Sequence, residues 1–123
     1  MTQLVQNTDQ IKNTYCVIDL ETTGLDSKSD AIIEVAAIRF DKDGVDQTFQ
    51  SYVNPGRKIP RFIEDLTGIS EQDVHSAPRI EDLNPRLEDF IGDSVLIGHN
   101  IGFDVGFLNE SGFKWEGASF DTL

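Results

Sequence analysis

Asp19 and Glu21 stand two residues apart at the end of the apolar run Tyr15-Cys16-Val17-Ile18. On a strand, that spacing puts both carboxylates on one face, roughly 6.5–7 Å apart along the backbone. Two carboxylates so placed repel each other and are costly to bury. A pair of hard divalent cations removes the cost: two-metal sites hold their ions about 3.5–4 Å apart and draw oxygen ligands from separate elements. The plain alternative is a strand end standing in solvent. A further acidic position, Asp104, follows Gly98-His99-Asn100 and falls in the first turn of a predicted helix. The helix dipole favours a carboxylate there, so a simple capping role is its alternative. Neither signal decides anything alone.

The elements that must position these residues can be read along the chain. Residues 1–13 read as a polar leader and residues 14–123 as the domain. Tyr15-Cys16-Val17-Ile18 starts a strand that leads into Asp19-Leu20-Glu21 and is bounded by Thr22-Thr23-Gly24. Ala31 to Phe40 is a second strand, and Asp43-Gly44 after it signals a hairpin. A third strand runs from about Gln47 to Val53, making an antiparallel meander, and Asn54-Pro55-Gly56 closes it. Pro60 sits at a helix start, with Phe62, Ile63 and Leu66 as a short apolar face stopped by Thr67-Gly68. Ser70 and Asp73 have the spacing of an N-terminal cap. Ile80, Leu83, Leu87, Phe90 and Ile91 recur at helical spacing, and Pro85 predicts a kink or break among them. Val95-Leu96-Ile97 is a short strand, Phe103, Phe107 and Leu108 mark a helix ending near Gly112, and Ser119-Phe120-Asp121 begins a fifth strand. This order predicts a mixed α/β sheet with helices packed on it.

Bulk properties bound the function. With 123 residues, 38% of them hydrophobic and 26% charged, the chain has the size and composition of one globular domain. No apolar run approaches the roughly 18 residues of a membrane span, and Met1 to Lys12 lacks the layout of a signal peptide. A single cysteine, Cys16, cannot form an internal disulfide, so the cytoplasm is the expected compartment. The net charge of −12 opposes binding of nucleic acid by simple neutralisation of phosphates. Any such role must use local positive features or bound cations. Arg57, Lys58 and Arg61 are the one clear basic cluster, readable as a phosphate-contact edge or as an exposed loop. Asp41-Lys42-Asp43-Gly44 hints at a calcium loop, but the remaining ligand spacing is absent, so it reads as a hairpin turn.

The motifs settle more when taken with their neighbours. VIDLETTGL over Val17–Leu25, IIEVAA over Ile32–Ala37 and LIGHNIGFDVGFL over Leu96–Leu108 occur in the order seen in the DnaQ-like (DEDD) exonucleases. Ile59-Pro60, Leu66-Thr67-Gly68-Ile69-Ser70 and Asp121-Thr122-Leu123 extend the likeness, so the chain resembles that family from about Tyr15 onward. The resemblance implies a ribonuclease-H-like fold: a mixed five-stranded sheet flanked by helices, with the first and fourth strands adjacent. It implies that Asp19, Glu21 and Asp104 gather around two Mg²⁺ or Mn²⁺ ions, Asp19 bridging both. It places the backbone of Thr22, Thr23 and Gly24 near a 3′-terminal nucleotide, and makes Asn100 and Phe103 substrate contacts. His99 is then structural or substrate-facing, although His99 and Asp104 show the His-x-x-x-x-Asp spacing of the family's third motif.

That third motif carries the family's histidine base and a fourth metal-binding aspartate, and Leu123 comes before it. The expectation is a C-terminally truncated domain with an exposed apolar patch on its sheet and little activity in residues 1–123 alone. The implied function is 3′–5′ removal of nucleotides from single-stranded DNA 3′ ends in replication or repair. RNA trimming with the same carboxylates is the alternative substrate class. A module of a larger helicase or polymerase that serves mainly to bind a partner or a strand is the alternative of another class.

Overall fold

The computed structural model describes residues 14–123, so the polar leader proposed for residues 1–13 lies outside the described residues. Three consecutive strands, β1 (Tyr15–Thr22), β2 (Ile32–Asp41) and β3 (Gly44–Tyr52), form the expected antiparallel meander. Two more, β4 (Val95–Gly98) and β5 (Ser119–Asp121), add in parallel on the other side of β1. The sheet order is β3-β2-β1-β4-β5, which makes β1 the central strand and β4 its neighbour. Four helices connect them: α1 (Arg61–Thr67), α2 (Glu71–His75), α3 (Ile80–Ile91) and α4 (Ile101–Glu110).

The alternation along β1 divides the sheet. Cys16, Ile18 and Leu20 are buried against Leu83, Leu87 and Ile91 of α3 and Phe107 and Leu108 of α4. Val17 and Asp19 face the other way and are exposed. Between Glu21 and Thr22 the register against β2 shifts, leaving Ile33 without a partner. That extra residue is buried instead in a second cluster with Ile59, Ile63, Ile69 and Val74, the apolar side of α1 and α2. A bulge thus bends the strand pair where the carboxylates sit.

Three local expectations need correction. β3 starts at Gly44 and not near Gln47, because the turn is only Lys42-Asp43: the Asp43 N–H donates to Asp41 Oδ1 at 2.8 Å, and Gly44 takes φ +125°. Of the kink or break expected at Pro85, the break is absent, since α3 continues to Ile91. The carbonyl that loses its partner belongs to Glu81, and both Glu81 and Pro85 are exposed, so water can satisfy it. In α1 only Ile63 is buried, while Phe62 and Leu66 stand 66% and 78% exposed. Phe62 and Leu66, four residues apart, share one side of the helix, and Ile63 lies on the side that packs inward. The cap expected at Ser70 is present as a full capping box with Asp73.

Candidate active site

Asp19 and Glu21 project from the uncovered face near the end of β1, as their spacing requires; Asp19 is exposed and Glu21 half-buried. Opposite Glu21 in the register stands Glu34, whose Oε2 accepts from Gln50 Nε2 at 2.8 Å. Burial, Asp19 and Glu34 together raise the pKa of Glu21 above the ordinary carboxylate value.

Asp104 arrives from the neighbouring strand. β4 pairs with β1 only over Tyr15–Val17, and the chain then turns away at Asn100, which adopts φ +65° at the N-cap of α4. Asn is among the few residues that hold this left-handed conformation readily. The Asn100 N–H donates to Asp121 Oδ1 at 2.8 Å, so the tip of β5 fixes the turn. Asp104 then lies in the first turn of α4, 4% exposed. Its carboxylate accepts a hydrogen bond from the Leu20 N–H, past the point where β4 leaves β1. Burial pushes its pKa up to about 7, with Asp19, Glu21 and Asp121 adding to the shift and the Leu20 hydrogen bond opposing it. Gly98 makes this approach possible, since a Cβ there would lie 2.7 Å from Ile101 Cδ1 and 3.2 Å from Asp104 Oδ2.

The remaining positions sort by what their side chains already do. The Thr22 hydroxyl donates to the Gly24 carbonyl at 2.6 Å. The Thr23 hydroxyl donates to Asp30 Oδ1 at 3.1 Å and accepts from the Ala31 N–H at 3.0 Å. Both threonines are buried, so their side chains hold the β1–β2 loop and leave its outer surface to Gly24 and the 86% exposed Leu25. His99 and Asn100 are exposed, His99 Nδ1 lying 3.4 Å from Thr122 Oγ1. Phe103 is half-buried against Phe107, ring centroids 4.9 Å apart. His75 is exposed.

Sequence reasoning missed Asp121 and the spatial roles of Glu34 and Gly98. The parity of Glu34 on β2 could have placed it on the carboxylate face; nothing local in sequence marks the other two.

The donor chemistry fits hard divalent cations in type and charge. The groups that perturb Glu21 and Asp104 through their charge are, among the described residues, all carboxylates. Among the described residues, no three His, Cys, Asp or Glu side chains already stand close enough to grip an ion.

Known proteins of similar sequence and fold identify the family. Residues 16–115 match the model of the RNase_T family, described as Exonuclease. A DNA polymerase III PolC-type of Clostridium perfringens is 40% identical over 97 residues, covering 79% of this chain and 7% of that protein. The PolC-type polymerase of Bacillus subtilis is 40% identical over 98 residues, with 80% and 7% covered. The chain therefore spans less than a tenth of the length of these relatives. Among solved structures, apo exonuclease I superposes with a TM-score of 0.77 at 20% identity, over 91% of this chain and 29% of that one. Exonuclease X in complex with 5′ overhanging duplex DNA gives 0.73 at 27% identity, with 88% and 59% covered. The fold is thus the ribonuclease-H-like sheet expected from the motifs, and the chain belongs to the exonuclease family.

Proposed function

We propose that Asp19, Glu21 and Asp104 form the metal-binding centre of a 3′–5′ exonuclease that removes nucleotides from DNA 3′ ends. The observation that carries this reading is that Asp19 and Glu21 share one face of β1 while Asp104, buried in the first turn of α4, lies near enough for their like charge to raise its pKa, in a chain whose residues 16–115 match the exonuclease family. Asp19, the most exposed of the three, would hold the ions together with Glu21 and with Asp104 from α4. Bound Mg²⁺ or Mn²⁺ supplies a polarised water and neutralises charge on the phosphate. The chain's own residues position. Gly24 leaves the loop surface open beside the carboxylates, and Asn100 and His99 present polar groups at the turn into α4. The exposed edge of Phe103 offers a surface for the terminal sugar or base. The PolC-type relatives favour DNA and a replication setting, with the domain serving as part of a larger polymerase.

Mn²⁺ titration followed by degradation of 3′-labelled and 5′-labelled single strands tests the reading. Saturable Mn²⁺ binding should be lost in Asp19→Ala, and label should leave from the 3′ end. Residues 1–123 alone are expected to degrade DNA weakly, since no histidine base has been assigned within them. Matched RNA and DNA strands in the same assay separate the two substrate classes. No saturable Mn²⁺ binding, together with no effect of Asp19→Ala, would sink the metal centre.

A further inference from the structure

Behind the loop that follows the carboxylates lies a second polar recess. It is a cleft of about 250 Å³ between the β1–β2 loop, the β3–α1 loop, the start of α3 and the last turns of α4. Lys28, Arg57 and Arg79 all line it. That is three of only ten basic residues in a chain of net charge −12, brought together from three separate segments. The cluster read in the sequence, Arg57-Lys58-Arg61, does not stay together: Arg61 pairs with Asp65 on the surface of α1, and only Arg57 turns into the cleft.

The cations are held in place. Arg57 Nη1 donates to the Ser29 carbonyl, tying the β3–α1 loop to the β1–β2 loop. Gly56 has φ +70°, and a Cβ there would lie 2.5 Å from Arg79 Nη2, so the Arg79 guanidinium rests on bare backbone. Asn54 Oδ1 fixes this turn by accepting the Gly56 N–H at 2.9 Å. Ile80 and Glu81 also line the cleft; they open the 12-residue helix α3, whose N-cap, Arg79, provides no capping side chain. Three carboxylates share the recess, Asp30, Glu81 and Glu110. Asp30 is already engaged by the Thr23 hydroxyl and the Asp26 N–H. Among the described residues, none of the three forms an ion pair with Lys28, Arg57 or Arg79.

We propose that this cleft is a phosphate-binding site that takes a backbone phosphate of the nucleic-acid strand, away from the carboxylate centre. Arg forks match phosphate geometry, and a lysine adds a point charge. The cleft is smaller than the roughly 300–1,000 Å³ that engulfs a drug-sized ligand, which suits one charged group of a longer chain. Such a site would give an acidic protein a local hold on its strand without making its surface basic.

The inference rests on the reading that the chain acts on nucleic acid, and one titration separates the two. Amide resonances of the 123-residue chain would be followed as a short phosphorothioate single strand is added in Mg²⁺. Shifts at Gly56, Ile80 and Glu81 report the cleft; shifts at Gly24 and Asn100 report the carboxylate centre. The expected result is both sets. Shifts at the centre alone overturn the cleft and leave the nuclease reading intact; shifts at the cleft alone do the reverse; none overturns both. The double variant Lys28→Gln/Arg79→Gln should weaken strand binding about tenfold at low salt and lower the log–log salt slope by about 0.7, the share of one phosphate. The same loss in Arg86→Gln, outside the cleft, would mean a general charge effect and overturn the site. Inorganic phosphate and a mononucleotide serve as further probes. Saturation of the cleft by either, with no strand response, would make it a site for free anions and overturn the proposal as stated.

Discussion

Asp104 is the side chain on which burial and like charge act most strongly. In the metal-free protein its pKa of about 7 lies above the ordinary 3.8, so the folded state binds its proton more tightly than the unfolded chain. Below about pH 4 the group is protonated in both states and costs nothing. Between about pH 4 and 7 the unfolded chain ionises first, so stability falls as pH rises, and above about pH 7 the penalty is complete. Asp104→Asn should therefore raise the thermal midpoint at pH 8 by about 4 °C or more, and leave it unchanged at pH 4. Melting curves at the two pH values check this; a lower midpoint at pH 8 would mean that the carboxylate is not crowded. Cys16 gives a separate residue-scale test. Burial pushes its thiol up to about 11, and it packs in the core beneath β1. It should resist alkylation at pH 8 until denaturant is added, as mass spectrometry would show.

At the scale of elements, the site depends on how β4 hands over to α4. Gly98→Ala would force Ile101 and Asp104 away from β1, since its Cβ meets both. The expected outcome is Mn²⁺ affinity reduced about tenfold or more with secondary structure intact, read by calorimetry beside circular dichroism. Wild-type affinity in that variant would show that Asp104 is not held by this packing. The capping box of α2 predicts a more ordinary effect. Ser70→Ala removes an acceptor for the Asp73 N–H and should cost about 1 kcal/mol of stability in urea titration, with no change in metal binding.

Across the whole molecule, the sheet is asymmetric. One face is filled by α3 and α4, whereas Ile38, Val17, Ile97 and Phe120 follow one another in register across the other. Ile38 is 43% exposed and Phe120 61%. This is the apolar patch expected from the sequence, and it adjoins the carboxylates. At micromolar concentrations the 123-residue chain should self-associate through this row. The double variant Ile38→Thr/Phe120→Ser should shift sedimentation toward monomer with under about 1 kcal/mol of destabilisation, because neither side chain is buried. Unchanged association in that variant would place the contact elsewhere.

Much of this was legible in the chain itself. The strand order, the alternation that sets Asp19 and Glu21 on one face, and the cap at Ser70 are local matters of period and capping chemistry, and they read correctly. The motif order carried the family. What local sequence could not show was anything that depends on two distant segments meeting. The wrong apolar face of α1 and the uninterrupted α3 came from exposure, which periodicity does not encode. The burial of Asp104 follows from Gly98 and from the parting of β4 from β1. The role of Asp121 follows from β5 reaching the Asn100 turn. The gathering of Lys28, Arg57 and Arg79 joins three segments that no spacing rule connects. Sequence by itself determined which carboxylates this protein has to offer; tertiary structure decided which of them share a field, because charge interactions depend on distance in space and not along the chain.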